Sequence, residues 1–304
     1  MSVKVEHVSK YYDKQKALND VSFDVPAGQV VGFLGPNGAG KSTMMKIITC
    51  YIPQSQGRVE VSGFDVATEA GEVRSKVGYL PEHNPLYLDM YIVEFLEFIA
   101  RIHAVKDKSN RIKEMIAVTG LTPEKHKKIG ALSKGYRQRT GLAAALIHDP
   151  EVLILDEPTS GLDPNQITEI RQLIKDTGQQ KTVILSTHIL QEVNAMCNRV
   201  IIINNGKVVA DDSVENLQST LSAESALLIE FDKYVHHQEL QQINGIVSVK
   251  HLGENQYRLV FKQGYDSRKN IFEFAVNKNI AVLTMRKEEQ NLEQIFHDLT
   301  AGKK

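Results

Sequence analysis

The hydrophobic pattern of the first 50 residues predicts strands followed by a helix. Apolar and polar residues alternate in "VKVEHV" (Val3–Val8) and "VSFDV" (Val21–Val25), as they do in half-buried strands. "GQVVGFLG" (Gly28–Gly35) is a short apolar strand, and from Lys41 the apolar spacing in "KSTMMKIITCYI" becomes helical. A glycine-rich loop therefore lies between a buried strand and a helix.

The middle of the chain changes from strands to helices and back. "IVEFLEFIARIH" and "RIKEMIAVTGL" have amphipathic helical spacing with no strand between them, so we predict a helical subdomain at about 85–135. The β-branched runs "VLILD", "TVILS" and "RVIII" are separated by helical segments, as in a doubly wound α/β sheet. In "INNGKVV", Asn205-Gly206 predicts a tight hairpin turn.

Beyond about residue 215 the order of predicted elements changes. The pattern predicts a strand at 227–231, a helix at 235–243, strands at 247–251 and 256–261, a helix at 267–277, a strand at 280–286 and a last helix from Asn291. A β-α-β-β-α-β order is that of a ferredoxin-like α+β domain. We therefore predict an α/β domain at 1–215 and a small accessory domain at 216–304.

Composition restricts the class of protein. The 304 residues include 42% hydrophobic and 24% charged side chains, which are ordinary values for a globular protein. The net charge of −1 provides no overall attraction to nucleic acid or anionic lipid. Two cysteines, Cys50 and Cys197, fit a reducing compartment, and no run approaches the ~20 apolar residues that span a bilayer. We therefore expect a cytoplasmic protein.

The glycine-rich loop matches a phosphate-binding motif. "GPNGAGKST" contains GxxxxGK followed by serine, after a predicted strand and before a helix. The glycines let backbone N–H groups face a phosphate, Lys41 reaches the β/γ-phosphates, and Ser42 is a Mg²⁺ ligand. A glycine-rich turn with a chance lysine is the alternative, which the strand-loop-helix context disfavours. The predicted nucleotide-binding loop comprises Gly35, Pro36, Asn37, Gly38, Ala39, Gly40, Lys41, Ser42 and Thr43.

Two carboxylates follow the apolar run "VLIL". Asp156 and Glu157 lie at the carboxyl end of a buried strand, where open α/β sheets bind their ligands. Asp156 suits Mg²⁺, directly or through water, and Glu157 suits a general base that polarises the attacking water. In isolation, a strand that ends in acidic residues before Pro158 is commonly a solvated turn. Beside a phosphate-binding loop, the catalytic interpretation is favoured.

Together these motifs resemble the ATP-binding subunits of ABC transporters, over Val3 to about Gln218. The resemblance makes Tyr12 the aromatic that stacks on adenine and His188 in "LSTHIL" the switch histidine that contacts the γ-phosphate. "LSKGY" stands where the family has its LSGGQ signature, which assigns Ser133 and Gly135 to nucleotide binding. "SGLD" matches the segment called the D-loop and assigns Asp163 to the same site.

Some of these residues also have structural interpretations, and some depart from the family pattern. Tyr12 alone suits an edge-strand aromatic, His188 a loop histidine, and Asp163 before Pro164 a helix N-cap. Glu82 replaces the usual glutamine of the Q-loop and is an additional candidate Mg²⁺ ligand. Lys134 and Tyr136 replace a glycine and the glutamine of the signature, which puts the usual contacts there in question.

The resemblance also implies partners. It is closest to single-cassette bacterial exporters for drug resistance, sodium efflux and gliding motility, with the gliding-motility type nearest. It implies a head-to-tail dimer that binds ATP and Mg²⁺ between two copies and drives an integral membrane permease from the inner face of the plasma membrane. The segment Pro85–Ala100 would contact the permease, although its apolar "YLDMYIVEFLEF" also suits a core.

Two other functions are alternatives to transport. A soluble ABC-type ATPase acting on ribosomes or DNA usually has two cassettes or a long coiled coil, and here only "PEKHKK" (Pro123–Lys128) is locally basic. We therefore expect no nucleic-acid partner. A regulatory module that binds ATP without turnover is disfavoured by Glu157 and His188. The C-terminal domain suits a dimer brace, a ligand sensor or a cap.

Overall fold

The computed structural model describes residues 2–221, 225–261 and 268–288, together with residues 296 and 300. The chain divides into two compact units, Met1–Val214 with Leu299–Lys304 and Glu215–Asp298. The elements up to residue 221 are β1 (Val3–Tyr12), β2 (Gln15–Val25), β3 (Val30–Leu34), α1 (Lys41–Ile48), β4 (Gln56–Val61), β5 (Phe64–Asp65), α2 (Ala70–Lys76), β6 (Val77–Leu80), α3 (Ile92–Ile102), α4 (Lys108–Val118), 3₁₀ turns at Thr122–Glu124 and Ile129–Ala131, α5 (Lys134–Leu146), β7 (Val152–Asp156), α6 (Pro164–Gly178), β8 (Thr182–Thr187), α7 (Leu190–Met196), β9 (Arg199–Asn204), β10 (Lys207–Ser213) and α8 (Val214–Leu221).

A six-stranded sheet forms the centre of the first unit. Its strand order is β10-β9-β3-β8-β7-β6, and all pairs are parallel except the β9–β10 hairpin. Every residue of β3, β7 and β8 is buried, which explains why these strands are continuous apolar runs in the sequence. The predicted hairpin turn is confirmed, with Asn205 at φ 48° and Gly206 at φ 73°.

A second, antiparallel sheet has the order β2-β1-β4-β5. Its alternating apolar residues, including Val5 and Phe23, join one face of β3 and helix α1 in a single hydrophobic core. Because that core contacts the strand before the glycine-rich loop and the helix after it, the small sheet supports both ends of the loop. The predicted α/β class of this part of the chain is thus confirmed.

Helices occupy the chain between β6 and β7, as the pattern predicted. One face of α3, with Ile92, Phe95 and Leu96, packs with Ile112 and Met115 of α4 in the second core of this unit. An isolated bridge pairs Tyr91 with Lys128 before the chain enters α5. None of the helices in the described part of the chain is long and apolar enough to cross a bilayer.

The second unit is an antiparallel sheet with two helices. Its elements are β11 (Ser225–Phe231), α9 (His237–Gln241), β12 (Ile246–Gly253), β13 (Gln256–Phe261), α10 (Arg268–Asn277) and β14 (Val282–Glu288). The strand order is β12-β13-β11-β14, and the core includes Phe231, Leu240, Tyr257 and Ile271. The predicted last helix from Asn291 lies outside the described residues, apart from residues 296 and 300.

Helix α9 is shorter than the predicted 235–243. The hydroxyl of Tyr257 accepts a hydrogen bond from the Val235 N–H at 2.9 Å and donates to the Val235 carbonyl at 2.7 Å. Because this pair of bonds uses both backbone groups of Val235, the residue stays outside the helix. The helical pattern of the sequence does not reveal a competing side chain 22 residues away.

Candidate nucleotide site

The glycine-rich loop joins the buried end of β3 to the start of α1. Gly40 is the N-cap of α1 at φ 110°, and a Cβ there would lie 2.7 Å from the Ala17 carbonyl oxygen. A Cβ at Gly35 would lie 2.5 Å from the Ile203 carbonyl oxygen. Only glycine fits at these two points, because the neighbouring strands approach the loop too closely for a side chain. These two close approaches fix the course of the loop between β3 and α1.

Lys41 extends its side chain back over the loop. Its Nζ donates to the carbonyl oxygens of Gly35 at 2.8 Å and Pro36 at 3.3 Å, and lies 3.7 Å from Oε1 of Glu157. Lys41 is 6% exposed, so its positive charge is largely shielded from water at the N-terminus of α1. A buried cation and a helix N-terminus together favour an anion such as phosphate.

Asp156 and Ser42 meet across 114 residues of sequence. The Ser42 hydroxyl donates to Oδ1 of Asp156 at 3.2 Å, and the Ser186 hydroxyl donates to the same oxygen. Asp156 is 2% exposed at the end of β7. A serine hydroxyl beside a carboxylate is the oxygen-donor pair that Mg²⁺ takes together with substrate phosphates.

Glu157 follows directly and forms a pair with His188. The Nδ1 atom of His188 lies 2.9 Å from Oε2 and 3.0 Å from Oε1 of Glu157. The carboxylate is buried while the histidine side chain is 48% exposed, so the pair extends from the protein interior to solvent. Glu157 has a left-handed backbone at φ 49°, held by a bond from its N–H to the Ser186 carbonyl. The structure therefore joins the predicted base to the predicted switch histidine.

Tyr79, in β6 beside β7, is a further polar residue near these carboxylates. Its hydroxyl is buried and has no hydrogen-bond partner within the described part of the chain. Burial is the main cause that raises the pKa of the Tyr79 hydroxyl. The negative charges of Asp156 and Glu82 raise this pKa further. This buried hydroxyl lacks a partner among the described residues and lies close enough to two candidate metal ligands to interact with their charges. A site that binds an additional polar ligand would explain it. An aromatic within the apolar run "VGYL" gives no sequence signal of this position.

Tyr12 and Glu82 lie at the protein surface. Tyr12 ends β1 and is 44% exposed, with the Lys10 ammonium 5.3 Å from its ring centroid. A partly exposed aromatic at the end of a strand fits the edge-strand interpretation, and stacking on adenine stays a prediction. Glu82 lies in the exposed loop that follows β6.

The signature segment begins helix α5. Ser133 is its N-cap and accepts a bond from the Tyr136 N–H at 3.4 Å, and its side chain is exposed. Gly135 packs against Gln166, since a Cβ there would lie 2.5 Å from the Gln166 Cδ. Among the described residues, no hydrogen bond joins Ser133 to the phosphate loop of the same chain.

The D-loop ends at the N-terminus of α6. Asp163 accepts a hydrogen bond from the Gln166 N–H at 2.9 Å, with Pro164 as the first helical residue. Asp163 is therefore the N-cap that the sequence indicated, whatever else it contacts. Lys134 of the signature lies over Gly161, where a Cβ would collide with its Nζ. The signature and the D-loop are thus adjacent on the same surface.

Comparison with family models and curated proteins places the chain in one family. The model described as "ABC transporter" matches residues 18–160, and one described as "AAA domain, putative AbiEii toxin, Type IV TA system" matches residues 127–194. The ABC transporter ATP-binding protein NatA of Bacillus subtilis is 36% identical over 74% of this chain and 95% of NatA. The bacitracin transport ATP-binding protein BcrA of Bacillus licheniformis is 32% identical over 99% of this chain and 97% of BcrA.

Solved structures give the same result. A structure titled as the ATP-binding subunit of an ABC transporter has a TM-score of 0.67 and 28% identity, over 73% of this chain and 94% of the other. The ATP-binding cassette MJ0796, in a dimeric post-hydrolysis state bound to ADP and Pi, has a TM-score of 0.65 and 27% identity, over 70% and 98%. Because NatA and BcrA are 36% and 32% identical to this chain over 95% and 97% of their own lengths, this chain belongs to the ATP-binding, ATP-hydrolysing subunits of ABC transporters.

Proposed function

We propose that this chain drives export through a separate integral membrane permease. The observation that carries the proposal is the joined set of Lys41, Asp156, Glu157 and His188, which provides both phosphate binding and hydrolysis. Two relatives that align with 98–99% of this chain support a transport role: the bacitracin transport ATP-binding protein BcrA and the linearmycin resistance ATP-binding protein LnrL of Bacillus subtilis. The gliding-motility resemblance stays a prediction.

The phosphate loop, from Gly35 to Thr43, is proposed to bind the ATP phosphates, and Tyr12 the adenine. Lys41 would move its ammonium from the loop carbonyls to the β/γ-phosphates, since an anion is a stronger partner than a neutral carbonyl. Ser42 and Asp156 would hold Mg²⁺, with Glu82 as an additional ligand. When bound, Mg²⁺ neutralises charge that develops on the phosphates.

Few protein ligands are needed for such a metal. The described residues contain no cluster of three or more His, Cys, Asp or Glu side chains. Mg²⁺ commonly takes one or two carboxylates and fills its other positions with water and substrate phosphates. The Ser42–Asp156 pair, with the unpaired Tyr79 hydroxyl nearby, fits that pattern.

Glu157 is proposed as the general base for the attacking water. Its carboxylate accepts from His188 and faces the Lys41 ammonium, and these two contacts orient it. His188 is proposed to contact the γ-phosphate through its exposed side. In this arrangement, the pair with Glu157 fixes the ring while its other nitrogen remains available to the substrate.

A second copy of the chain is proposed to complete each site, head to tail. Ser133, Gly135 and Asp163 would contact the nucleotide bound by the other copy. The exposed N-terminus of α5 and the absence of a bond from Ser133 to its own loop, within the described residues, support this. The relative MJ0796 is itself described as dimeric.

The permease contact is proposed at Pro85–Ala100. Ile92 and Leu96 of α3 are buried core residues, whereas Tyr87, Leu88 and Phe98 are 55%, 50% and 37% exposed. The segment therefore contributes to both a core and an exposed apolar surface, which is typical of an interaction site. From this contact we infer a cytoplasmic position on the inner face of the plasma membrane.

The two units are proposed to be domains, the cassette at 1–215 and an accessory domain at 216–304. The second compact unit begins at Glu215, and Leu299–Lys304 belong to the first. The order β-α-β-β-α-β and the strand order β12-β13-β11-β14 support a ferredoxin-like fold for the accessory domain.

Co-purification from membranes tests the transporter proposal. Chain carrying an affinity tag, isolated from detergent-solubilised membranes of its own cells, should retain an integral membrane protein in a stoichiometric complex. Substituting the exposed Tyr87 and Phe98 by serine should release the partner, while serine at exposed Val276 of α10 should not. Recovery with ribosomes or nucleic acid, and not with a membrane protein, would support the alternative function and refute this one.

A further inference from the structure

Glu192 is a completely buried carboxylate in the first turn of α7. Its side chain is 0% exposed. Oε2 accepts a hydrogen bond from the Thr187 hydroxyl at 2.7 Å, and Oε1 accepts one from the Thr159 hydroxyl. Among the residues that the structure describes, no lysine, arginine or histidine forms an ion pair with Glu192. Two threonines thus account for the bonds observed to this carboxylate.

The two threonines belong to the segments that carry the catalytic pair. Thr159 is two residues after Glu157, and Thr187 immediately precedes His188. The Thr187 hydroxyl also accepts a bond from the Ile189 N–H at 3.0 Å, which fixes the backbone on the other side of His188. Glu192 therefore connects the chain leaving β7 with the chain leaving β8.

Packing alone does not explain a carboxylate at this position. Burying a charge costs several kcal/mol unless hydrogen bonds offset that cost. A protein with well-packed apolar residues in place of a buried charged group is often at least as stable. An apolar side chain, however, cannot hold two hydroxyls at defined positions. Bonds from a hydroxyl to a carboxylate are short and about twice as strong as neutral ones, so Glu192 restricts both segments closely.

We propose that Glu192 is a positioning residue for ATP hydrolysis. Through Thr187 it holds His188 against Glu157, and through Thr159 it holds the start of the D-loop, whose far end at Asp163 is proposed to meet the second copy. This inference rests on the proposed roles of Glu157 and His188. In this role, Glu192 links the switch histidine to the dimer-facing D-loop and does not itself contact the nucleotide.

The test separates turnover from binding in three variants. Glu192→Gln keeps the size but replaces one accepting oxygen with a donor, and Thr159→Val and Thr187→Val each remove one hydroxyl. We expect kcat to fall by roughly 10- to 100-fold in Glu192→Gln, as misplacement of catalytic groups does. KM and the ATP dissociation constant, measured by calorimetry, should stay near the wild-type values because the phosphate loop is unchanged.

Thr119→Val is the matched control. Thr119 is another fully buried threonine, and within the described part of the chain its hydroxyl bonds only to the Met115 carbonyl of the preceding helix. Its kcat should equal that of wild type, with a comparable change in thermal unfolding midpoint. If Glu192→Gln keeps full turnover, or loses turnover and ATP binding in the same proportion, the positioning role is refuted.

A double-mutant cycle isolates the bond itself. If Glu192 acts through Thr159, the double variant Glu192→Gln/Thr159→Val should be only slightly slower than the slower single variant. If the losses in activation free energy of the two single variants add in the double variant, the connection through Thr159 is refuted. Should Glu192→Gln fail to fold by circular dichroism, unchanged kcat in both valine variants would still overturn the inference.

The outcome also distinguishes this inference from the proposed function. A wild-type chain without magnesium-dependent ATP hydrolysis would overturn both. An active wild type that is slowed by Glu157→Gln but not by Glu192→Gln would leave the proposed function intact and overturn only the role of Glu192.

Discussion

His188 and Glu157, 31 residues apart in the sequence, form a single hydrogen-bonded pair with Nδ1 of the histidine 2.9 Å and 3.0 Å from the two carboxylate oxygens. The carboxylate also lies 3.7 Å from the Lys41 ammonium. A change at any of these three residues therefore alters the electrostatic environment of the other two. The predictions below separate their contributions to binding and to turnover.

Glu157→Gln should retain ATP binding and lose hydrolysis. The amide has the shape of the carboxylate and still bonds to His188, but it cannot take a proton from water. Loss of a general base costs ~10²–10⁴ in rate, which a phosphate-release assay measures beside calorimetry with ATP. Glu151→Gln, at the opposite end of the same strand, is the control. Equal turnover of Glu157→Gln and wild type would refute the assignment.

Lys41→Ala should weaken ATP binding strongly. The change removes the cation that faces the phosphates, and a hydrogen bond to a charged group contributes about 1.5–3 kcal/mol, or roughly 10- to 100-fold in affinity. Lys46→Ala, on the same helix but in its last turn, should bind ATP as wild type does. Unchanged affinity of Lys41→Ala by calorimetry would mean that the loop has only a structural role.

Glu82→Gln should be tolerated. The side chain is exposed, so the change should not alter the stability of the fold. An amide oxygen remains as a Mg²⁺ ligand, without the extra negative charge of the carboxylate. We expect turnover near the wild-type value, whereas Glu82→Ala should require more Mg²⁺ for half-maximal activity. Inactive but folded Glu82→Gln would show that the carboxylate has another task.

Ser133→Asp should block ATP-dependent dimerisation in a Glu157→Gln background. Asp and Asn are both good N-caps, so either preserves the start of α5, but only Asp adds a negative charge that repels the phosphate of the other copy. Size exclusion with and without ATP should show a dimer for Ser133→Asn and for Tyr136→Gln, but not for Ser133→Asp. Dimers of all three would refute the signature assignment.

His148 should make the fold less stable in acid. It stacks on His103 with ring centroids 3.9 Å apart, and burial lowers the pKa of His148 to about 4 and lowers that of His103. The unfolded histidine titrates near 6.5, so below that pH the unfolded chain binds more protons and stability falls until about pH 4.

The variant His148→Gln tests that dependence. Glutamine can still donate to the Val77 carbonyl that His148 contacts, but it does not titrate. Denaturant unfolding should therefore show a flatter loss of stability between pH 6.5 and 4 than in wild type. The exposed His126→Gln should leave the profile unchanged. An identical pH profile for wild type and His148→Gln would contradict the prediction.

Local sequence patterns predicted the elements, but not the contacts that complete the site. The phosphate loop and the strand before Asp156 are recognisable because glycine spacing and apolar runs are local properties. Glu192 was missed because a glutamate in a short helix suggests an exposed face, and only the arrangement of β7 and β8 places two threonines against it. The buried hydroxyl of Tyr79 was missed for the same reason.

The left-handed backbone of Glu157 has a consequence for evolution. An L-residue at φ 49° costs about 1–2 kcal/mol that glycine would not incur, and asparagine would incur less of it. The proposed catalytic base therefore occupies a position where less reactive residues would give a more stable protein. With respect to stability alone, the cost of this conformation favours another residue, and the proposed role in turnover is the reason to retain glutamate at residue 157.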